Sequence, residues 1–324
     1  MRFPISSLLV ALAAACMLLP AHANDEGTPY KLVLGFPAGG PLDVLARSVA
    51  EEMRLALKAP VLVENKPGAS TQIAIGTVKN AKPDGRTVLL AHTPAFVLFP
   101  MTFAQLSYEP QKDFVPVAHL ANVRSALSTG PGTPYKTLPE YVQWVKSNPG
   151  QANVGLANLG GTLHFAVLKM AQETGVDLQP VTYKGGAPLA TDIMGGHIPL
   201  GADALASQLE LHRSGKLRIL AVTGTQRTAW LPDVPTAKEA GFAAFDKAVT
   251  AYGAYVPAGT PKAAVQKLEA AFIAAMKTDS VKKRLDHVGL EGTGLGSVEL
   301  SRTMDEERSY WTPVVKASGF KVAQ

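Results

Sequence analysis

The feature that most constrains this chain is an alternation of short β-rich runs with amphipathic helical stretches, begun twice and interrupted by two long extended runs. Lys31 to Phe36 is an apolar strand, and Leu42, Leu45, Val49, Met53 and Ala56 then recur at spacings of three and four, with Glu51, Glu52 and Arg54 on the wet side. A strand from Val61 to Glu64, a helix from about Thr71 to Val78, the turn Lys82-Pro83-Asp84-Gly85 and a strand from Thr87 to Ala91 complete the first round. Strands separated by helices pair in parallel, so the chain is α/β.

The same grammar restarts after the extended stretch Phe114 to Ser128. Thr137-Leu138-Pro139-Glu140 is a capping box opening a helix through Tyr141, Trp144 and Val145. Strands follow at Asn153 to Leu156, Val181 to Tyr183, Leu200 to Ala202 and Arg218 to Val222, separated by helices at Thr162 to Thr174, Pro188 to Met194 and Ala204 to Ser214. A second extended run, Ala248 to Val256, precedes Thr260, read as the cap of a helix carrying Val265, Leu268, Phe272 and Met276. Two short helices finish the chain, near 281–288 and 298–316, and Gly292-Thr293-Gly294-Leu295-Gly296 between them reads as a loop. Two extended runs around a middle unit mean two crossings. The expected organisation is a discontinuous first domain, 24–121 plus 252–324, joined by two linking strands to a continuous second domain, 122–251. A chain of 324 residues, 47% hydrophobic, has the material for two such cores.

Residues 1–23 read as an export signal. Arg2 supplies the positive start, Leu8 to Ala21 is a 14-residue apolar run, and Ala21-His22-Ala23 is a small-x-small cleavage site, which puts the mature start at Asn24 in the periplasm. Attachment of lipid at Cys16 is the rival reading, against which Ala13 stands where such a site prefers Leu. Cys16 is the only cysteine, so no internal disulfide forms. The formal charge is +5, and +4 once Arg2 is removed. That balance favours small anions weakly, and without basic runs interleaved with aromatics there is no case for nucleic acid.

Four glycine-containing turns fall where a strand hands over to a helix, the place where open α/β sheets bind ligands. They are Phe36-Pro37-Ala38-Gly39-Gly40-Pro41, Asn65-Lys66-Pro67-Gly68-Ala69-Ser70, Asn158-Leu159-Gly160-Gly161-Thr162 and Tyr183-Lys184-Gly185-Gly186. Glycine lets the backbone approach a ligand, and the helix that follows carries partial positive charge at its start, so such turns suit an anion. Used singly they merely reverse the chain. Asp43 would stabilise the first helix dipole, His164 is either packed or near the cleft, and Asp203 either binds a ligand amine, orders water, or is a turn acid. The glycines do not form G-x-G-x-x-G, no P-loop is present, and the scattered histidines fit neither a metal motif nor a serine-hydrolase triad. Catalytic, metal and cofactor sites are therefore not expected.

Taken in order, Phe36-Pro37-Ala38-Gly39-Gly40-Pro41-Leu42-Asp43 with Ala46-Arg47, Val63-Glu64-Asn65-Lys66-Pro67-Gly68-Ala69, Pro83-Asp84-Gly85, Tyr183-Lys184-Gly185, Leu231-Pro232-Asp233-Val234-Pro235-Thr236 and Pro257-Ala258-Gly259-Thr260-Pro261 closely resemble the Bug (TctC-like) tripartite tricarboxylate transporter receptors. The likeness runs from about Lys31 to Gly319. It implies a two-domain periplasmic binding protein of the type II, Venus-flytrap kind, monomeric, without enzyme activity or cofactor, closing on a small carboxylated ligand and presenting it to a membrane transporter or, alternatively, to a membrane sensor. The resemblance places the ligand carboxylate against Pro37 to Asp43 and against Ala69, Ser70 and Thr71. The second domain would contribute Asn158, Gly161, Thr162, Tyr183, Lys184, Gly185 and Asp203. Two departures bear on the ligand: Ser70-Thr71 stands where relatives carry a further glycine, and Arg124 either points inward to a second carboxylate or outward as a solvated charge.

Overall fold

The computed structural model describes residues 27–322, so the export reading of 1–23 and Cys16 lies outside the described residues. Eleven strands among these residues form two mixed sheets. The first has the order β11-β4-β10-β3-β1-β2, built from β1 (Tyr30–Leu34), β2 (Val61–Asn65), β3 (Thr87–His92), β4 (Phe114–Val123), β10 (Thr250–Pro257) and β11 (Glu291–Gly296). The second, β7-β6-β8-β5-β9, uses β5 (Ser125–Thr129), β6 (Asn153–Leu156), β7 (Gln179–Thr182), β8 (Leu200–Ala204) and β9 (Arg218–Val222).

Within each βα unit the pairing is parallel: β1 with β2 and β3, β6 with β7 and β8. β10 runs antiparallel to β3 and to β4. The reason is topological. β4 carries the chain out toward the second sheet and β10 brings it back, so the two must point in opposite directions. Arg124 alone separates β4 from β5, whereas the return spans 223–249.

Each sheet is covered on both faces. In the first, α1 (Pro41–Leu57), α7 (Lys262–Lys277) and α8 (Asp279–His287) bury Leu45, Val49, Met53, Phe272 and Leu285 against one side, and α2 (Gln72–Lys79) packs Ile75 and Val78 on the other. The apolar ladder of α1 ends on Leu57, Ala56 being exposed. In the second sheet, α3 (Leu138–Ser147) and α4 (Thr162–Thr174) supply Tyr141, Val145, Phe165 and Met170 to one face, and α5 (Gly186–Met194) and α6 (Leu205–Arg213) supply Leu189, Ile193 and Leu209 to the other. Burial at roughly 25 cal/mol per Å² of apolar surface is what holds such layers together.

Three expectations are corrected. The glycine run Gly292 to Gly296 is strand β11, not a loop. A Cβ at Gly294 would lie 2.7 Å from the Met276 Cβ, and one at Gly292 would lie 2.9 Å from Leu285 Cδ1, so the glycines let helices lie directly on the edge strand. Thr260 does not cap α7. Its hydroxyl donates back to the Pro257 carbonyl at 2.7 Å and closes the preceding turn. Finally, the last helix is not short: α9 (Ser297–Ser318) has 22 residues, with Leu300 in the first sheet's core and Trp311 and Val315 in the second's. The capping box before α3 forms as read, the Glu140 N–H donating to Thr137 Oγ1 at 3.3 Å.

Candidate ligand-binding cleft

Parallel strands deliver every candidate turn to a carboxyl end. The first turn, between β1 and α1, is organised from beneath by Asp43, which is 3% exposed. Its Oδ2 accepts the Gly39 N–H and Arg47 Nε, both at 2.9 Å, and its Oδ1 accepts Asn65 Nδ2 at 2.9 Å. Asn65 also donates to the Phe36 carbonyl at 3.1 Å, so the first turn is tied to the end of β2. Burial works to raise the Asp43 carboxyl, but the Arg47, Gly39 and Asn65 hydrogen bonds outweigh it and hold it below the ordinary value. Asp43 is more than a dipole acid. With the Gly39 N–H spent and Pro41 lacking one, the first turn of α1 still leaves the Leu42 and Asp43 N–H groups without intrahelical acceptors, at the positive end of a 17-residue helix.

The second turn is backbone strain made visible. Ala69, Ser70 and Thr71 hold φ of 45°, 50° and 73° in succession, a left-handed region that costs an L-residue roughly 1–2 kcal/mol. The preceding turn presses on it: a Cβ at Gly35 would lie 2.6 Å from Thr71 Cβ. Thr71 precedes α2 but caps nothing. Its buried Oγ1 has no partner among the described residues.

A third turn, after β3, was missed in the sequence, where His92 counts as one more scattered histidine. It is 9% exposed, its Nδ1 has no partner among the described residues, and the rings of Phe36 and Phe99 stand edge-on to it at 5.4 and 5.6 Å. Burial pushes it down to about 4, which keeps the imidazole neutral. The usable signal was position: a histidine at the carboxyl end of an apolar run, followed by Thr-Pro.

In the second lobe, Gly160 adopts φ +70° and its N–H donates to His164 Nδ1 at 3.3 Å, so His164 braces the turn, packed against Phe320 at 4.1 Å. A Cβ at Gly161 would lie 2.6 Å from Asn158 Oδ1, which leaves the amide folded over that residue. Thr162 opens α4, is 4% exposed, and its Oγ1 has no partner among the described residues. The next turn shapes more than it offers: Tyr183 donates to Asp192 at 2.8 Å and the Gly185 N–H to the Ala157 carbonyl at 3.2 Å, while Lys184 stands exposed. Asp203, next to last in β8, faces the start of α5, where only glycine fits, since a Cβ at Gly186 would fall 2.2 Å from its Oδ2. Burial lifts this carboxyl to about 6 despite the Ala204 backbone and the Ser207 hydroxyl. Burial, with the Asp203 charge second, raises the phenol of Tyr252 on β10, so the two sheets' groups sense each other across the crossing.

Unspent donors thus stand at the start of α1, with the Thr71 hydroxyl and the neutral His92 on the neighbouring turns of the same lobe, and at the start of α4 in the other lobe, with the Thr162 hydroxyl. The Arg47 guanidinium on α1 is already taken by Asp43. An anion held by N–H and O–H groups is the chemistry this supports. Among the described residues no cluster of three or more metal-ligating side chains exists, and no helix is long and apolar enough to cross a membrane.

A family model described as the tripartite tricarboxylate transporter family receptor matches residues 45–320. Among solved structures, the periplasmic binding protein BugD is 31% identical, with a TM-score of 0.82, covering 90% of this chain and 98% of its own. MatC from Rhodopseudomonas palustris, with bound malate, is 31% identical at a TM-score of 0.81, covering 89% and 98%. The R. palustris protein Rpa4515, with adipate, is 28% identical at a TM-score of 0.85, covering 91% and 98%.

Proposed function

The chain belongs to the tripartite tricarboxylate transporter family of receptors, a family of binding proteins rather than enzymes, and from that premise we propose that it captures a small carboxylate in the cleft between its two sheets. The carboxylate lies against the first turn, Pro37 to Asp43, and against Ala69 to Thr71, where N–H and hydroxyl groups meet it. Asn158, Gly161, Thr162 and Asp203 close on the other end. The observation that carries this reading is the pair of buried hydroxyls, Thr71 Oγ1 and Thr162 Oγ1, each beside the start of a helix and without a partner among the described residues.

Capture proceeds by hinge closure about the two crossings, and the closed complex is handed to a membrane transporter. Export through residues 1–23 to the periplasm belongs to the same reading. Relatives with malate and adipate favour a dicarboxylate. Asp203 adds a condition: an acid at the far end of the cleft meets a hydrogen-bond donor more favourably than a second full negative charge.

A panel of mono-, di- and tricarboxylates, malate and adipate included, tests this by thermal shift, calorimetry and small-angle scattering. A ligand at 100 times its Kd adds about 2.7 kcal/mol of stability and reduces the radius of gyration. Gly40→Val supplies the site control. Gly40 has φ −77° and a Cβ there would meet only the Pro37 carbonyl oxygen, at 3.6 Å, so the variant folds while its side chain stands over the N–H groups. Wild-type affinity in that variant rules out the first turn.

A further inference from the structure

The floor of the cleft carries a row of groups that passes from one lobe to the other. It begins at Phe36 in the first turn, whose ring meets His92 at 5.4 Å. On the far side of His92, the register of β3 against β10 sets Tyr252 directly opposite. Alternate residues of a strand share a face. Val88 and Leu90 on β3, and Ala254 and Val256 on β10, belong to the core that α1 covers, so His92 and Tyr252 stand on that face where β3 ends and β10 begins. Tyr252 is 6% exposed and its phenol hydrogen-bonds to none of the described residues, as is true of His92 Nδ1. From the second lobe Asp203 comes to the same place. Ala204 and Ala206, which follow it, pack against the first sheet's core, and after burial its charge is the second cause that raises the Tyr252 phenol.

Donors and acceptors decide what such a floor can hold. An ionised Asp203 only accepts, the Tyr252 hydroxyl donates and accepts, and the neutral His92 ring has one nitrogen of each kind. None of the three is a cation, since burial keeps the imidazole uncharged. Arg124, open in the sequence as a partner for a second carboxylate, points neither into the cleft nor into bulk water. Its side chain is 14% exposed, and its Nη1 donates to the Thr223 and Gln226 carbonyls, at 3.0 and 2.9 Å, on the loop after β9. Its Nε lies 3.7 Å from Glu291 Oε2 on β11. A second ionised carboxylate on the floor would therefore meet the Asp203 charge with no cation beside it. A carboxamide satisfies both sides: its oxygen accepts from Tyr252 and its NH2 donates to Asp203.

We propose that His92, Tyr252 and Asp203 select a carboxylate whose far end is an uncharged donor and acceptor, a carboxamide above all, over the dicarboxylate of the same length. This rests on the capture reading above and narrows its ligand: a dicarboxylate enters only with its far carboxyl protonated, while a half-amide enters as it stands.

Calorimetry at pH 8 with two chain-matched series tests this, one of succinate, succinamate and butanoate, the other of adipate, adipamate and hexanoate. In each series that binds, the half-amide is expected to be held at least about tenfold more tightly than the dicarboxylate, the fold-change of one charge-assisted hydrogen bond at its lower end. It is also expected to exceed the monocarboxylate, which leaves Asp203 and Tyr252 unmet. Tyr252→Phe is expected to lose most of the half-amide's advantage over the monocarboxylate, and His92→Phe part of it. Asp203→Asn, which removes the charge and keeps the shape, is expected to raise the dicarboxylate to the level of the half-amide. A wild-type protein that binds the dicarboxylate as tightly as the half-amide overturns the inference, as does an Asp203→Asn variant that keeps the wild-type order. The wild-type comparison decides by itself if a variant does not fold. Should neither series bind, the capture reading fails and this inference with it; binding without the preference overturns this inference alone.

Discussion

Asp43 and Glu307 are both buried acids, yet they respond to their surroundings in opposite directions. Asp43 has three donors and is held ionised. Asp43→Ala orphans all three, so a loss of about 3 kcal/mol is expected from charge-assisted bonds worth roughly 1.5–3 kcal/mol each, part of which relaxation recovers. A pure dipole role would cost under about 1 kcal/mol, and chemical denaturation separates the two. Glu307 on α9 accepts Thr93 Oγ1 at 2.6 Å, and burial pushes it up to about 8. Between about 4.5 and 8 the folded protein keeps this proton and the unfolded chain does not, so stability falls as pH rises through that window. His92 works the other way: lowered to about 4, it stays neutral while the unfolded chain protonates below 6.5, so its contribution is lost as pH falls from 6.5 to 4. Glu307→Gln is expected to flatten the decline of melting temperature between pH 6 and 8.5 by several degrees, at roughly 2–4 °C per kcal/mol for a chain of this size. A decline as steep as in wild type would mean Glu307 is ionised throughout.

At the scale of elements, the first two turns behave as one unit, because Gly35 at the end of β1 packs on the backbone of Thr71. Gly35→Ala would place a methyl 2.8 Å from Thr71 Cα, which cannot swing aside as a side chain could. A destabilisation of about 1–3 kcal/mol is expected, together with loss of carboxylate binding; calorimetry that finds normal affinity would show the second turn to be independent of the first. This coupling was invisible in the sequence, where Gly35 is only the residue before a proline-containing turn. What could be read were periodicities and turn chemistry: the strand at Arg218 to Val222, the helices behind Thr137 and Thr162, and the four glycine turns all follow from local rules. What could not be read were relations across the chain. Gly292 to Gly296 is a strand only because β4 lies beside it, and nothing local in Ser70 and Thr71 announces the left-handed backbone, against which Gly35 packs from a distant turn. His92 likewise gains meaning from Phe36 and Phe99, which flank it in space.

For the whole molecule, the two lobes differ in how their sheets are assembled from the chain. All five strands of the second sheet come from 125–222 without interruption, whereas β10 is inserted between β3 and β4 of the first. Until residues 250–257 arrive, β3 has no neighbour on one side and β4 none on either, since β11 comes later still. Loops of well over a hundred residues must close before those pairings form, and such distant contacts are slow to make. The second lobe is thus expected to protect its amides first. Pulse-labelling hydrogen exchange during refolding should show 153–222 guarded while 87–123 still exchanges, and simultaneous protection would refute the order. Placing a late-made strand at the centre of the first-begun sheet gives the molecule a sense of time: a chain interrupted between β9 and β10 holds every strand of one sheet and only part of the other, with two strand edges waiting for the segment still to be made.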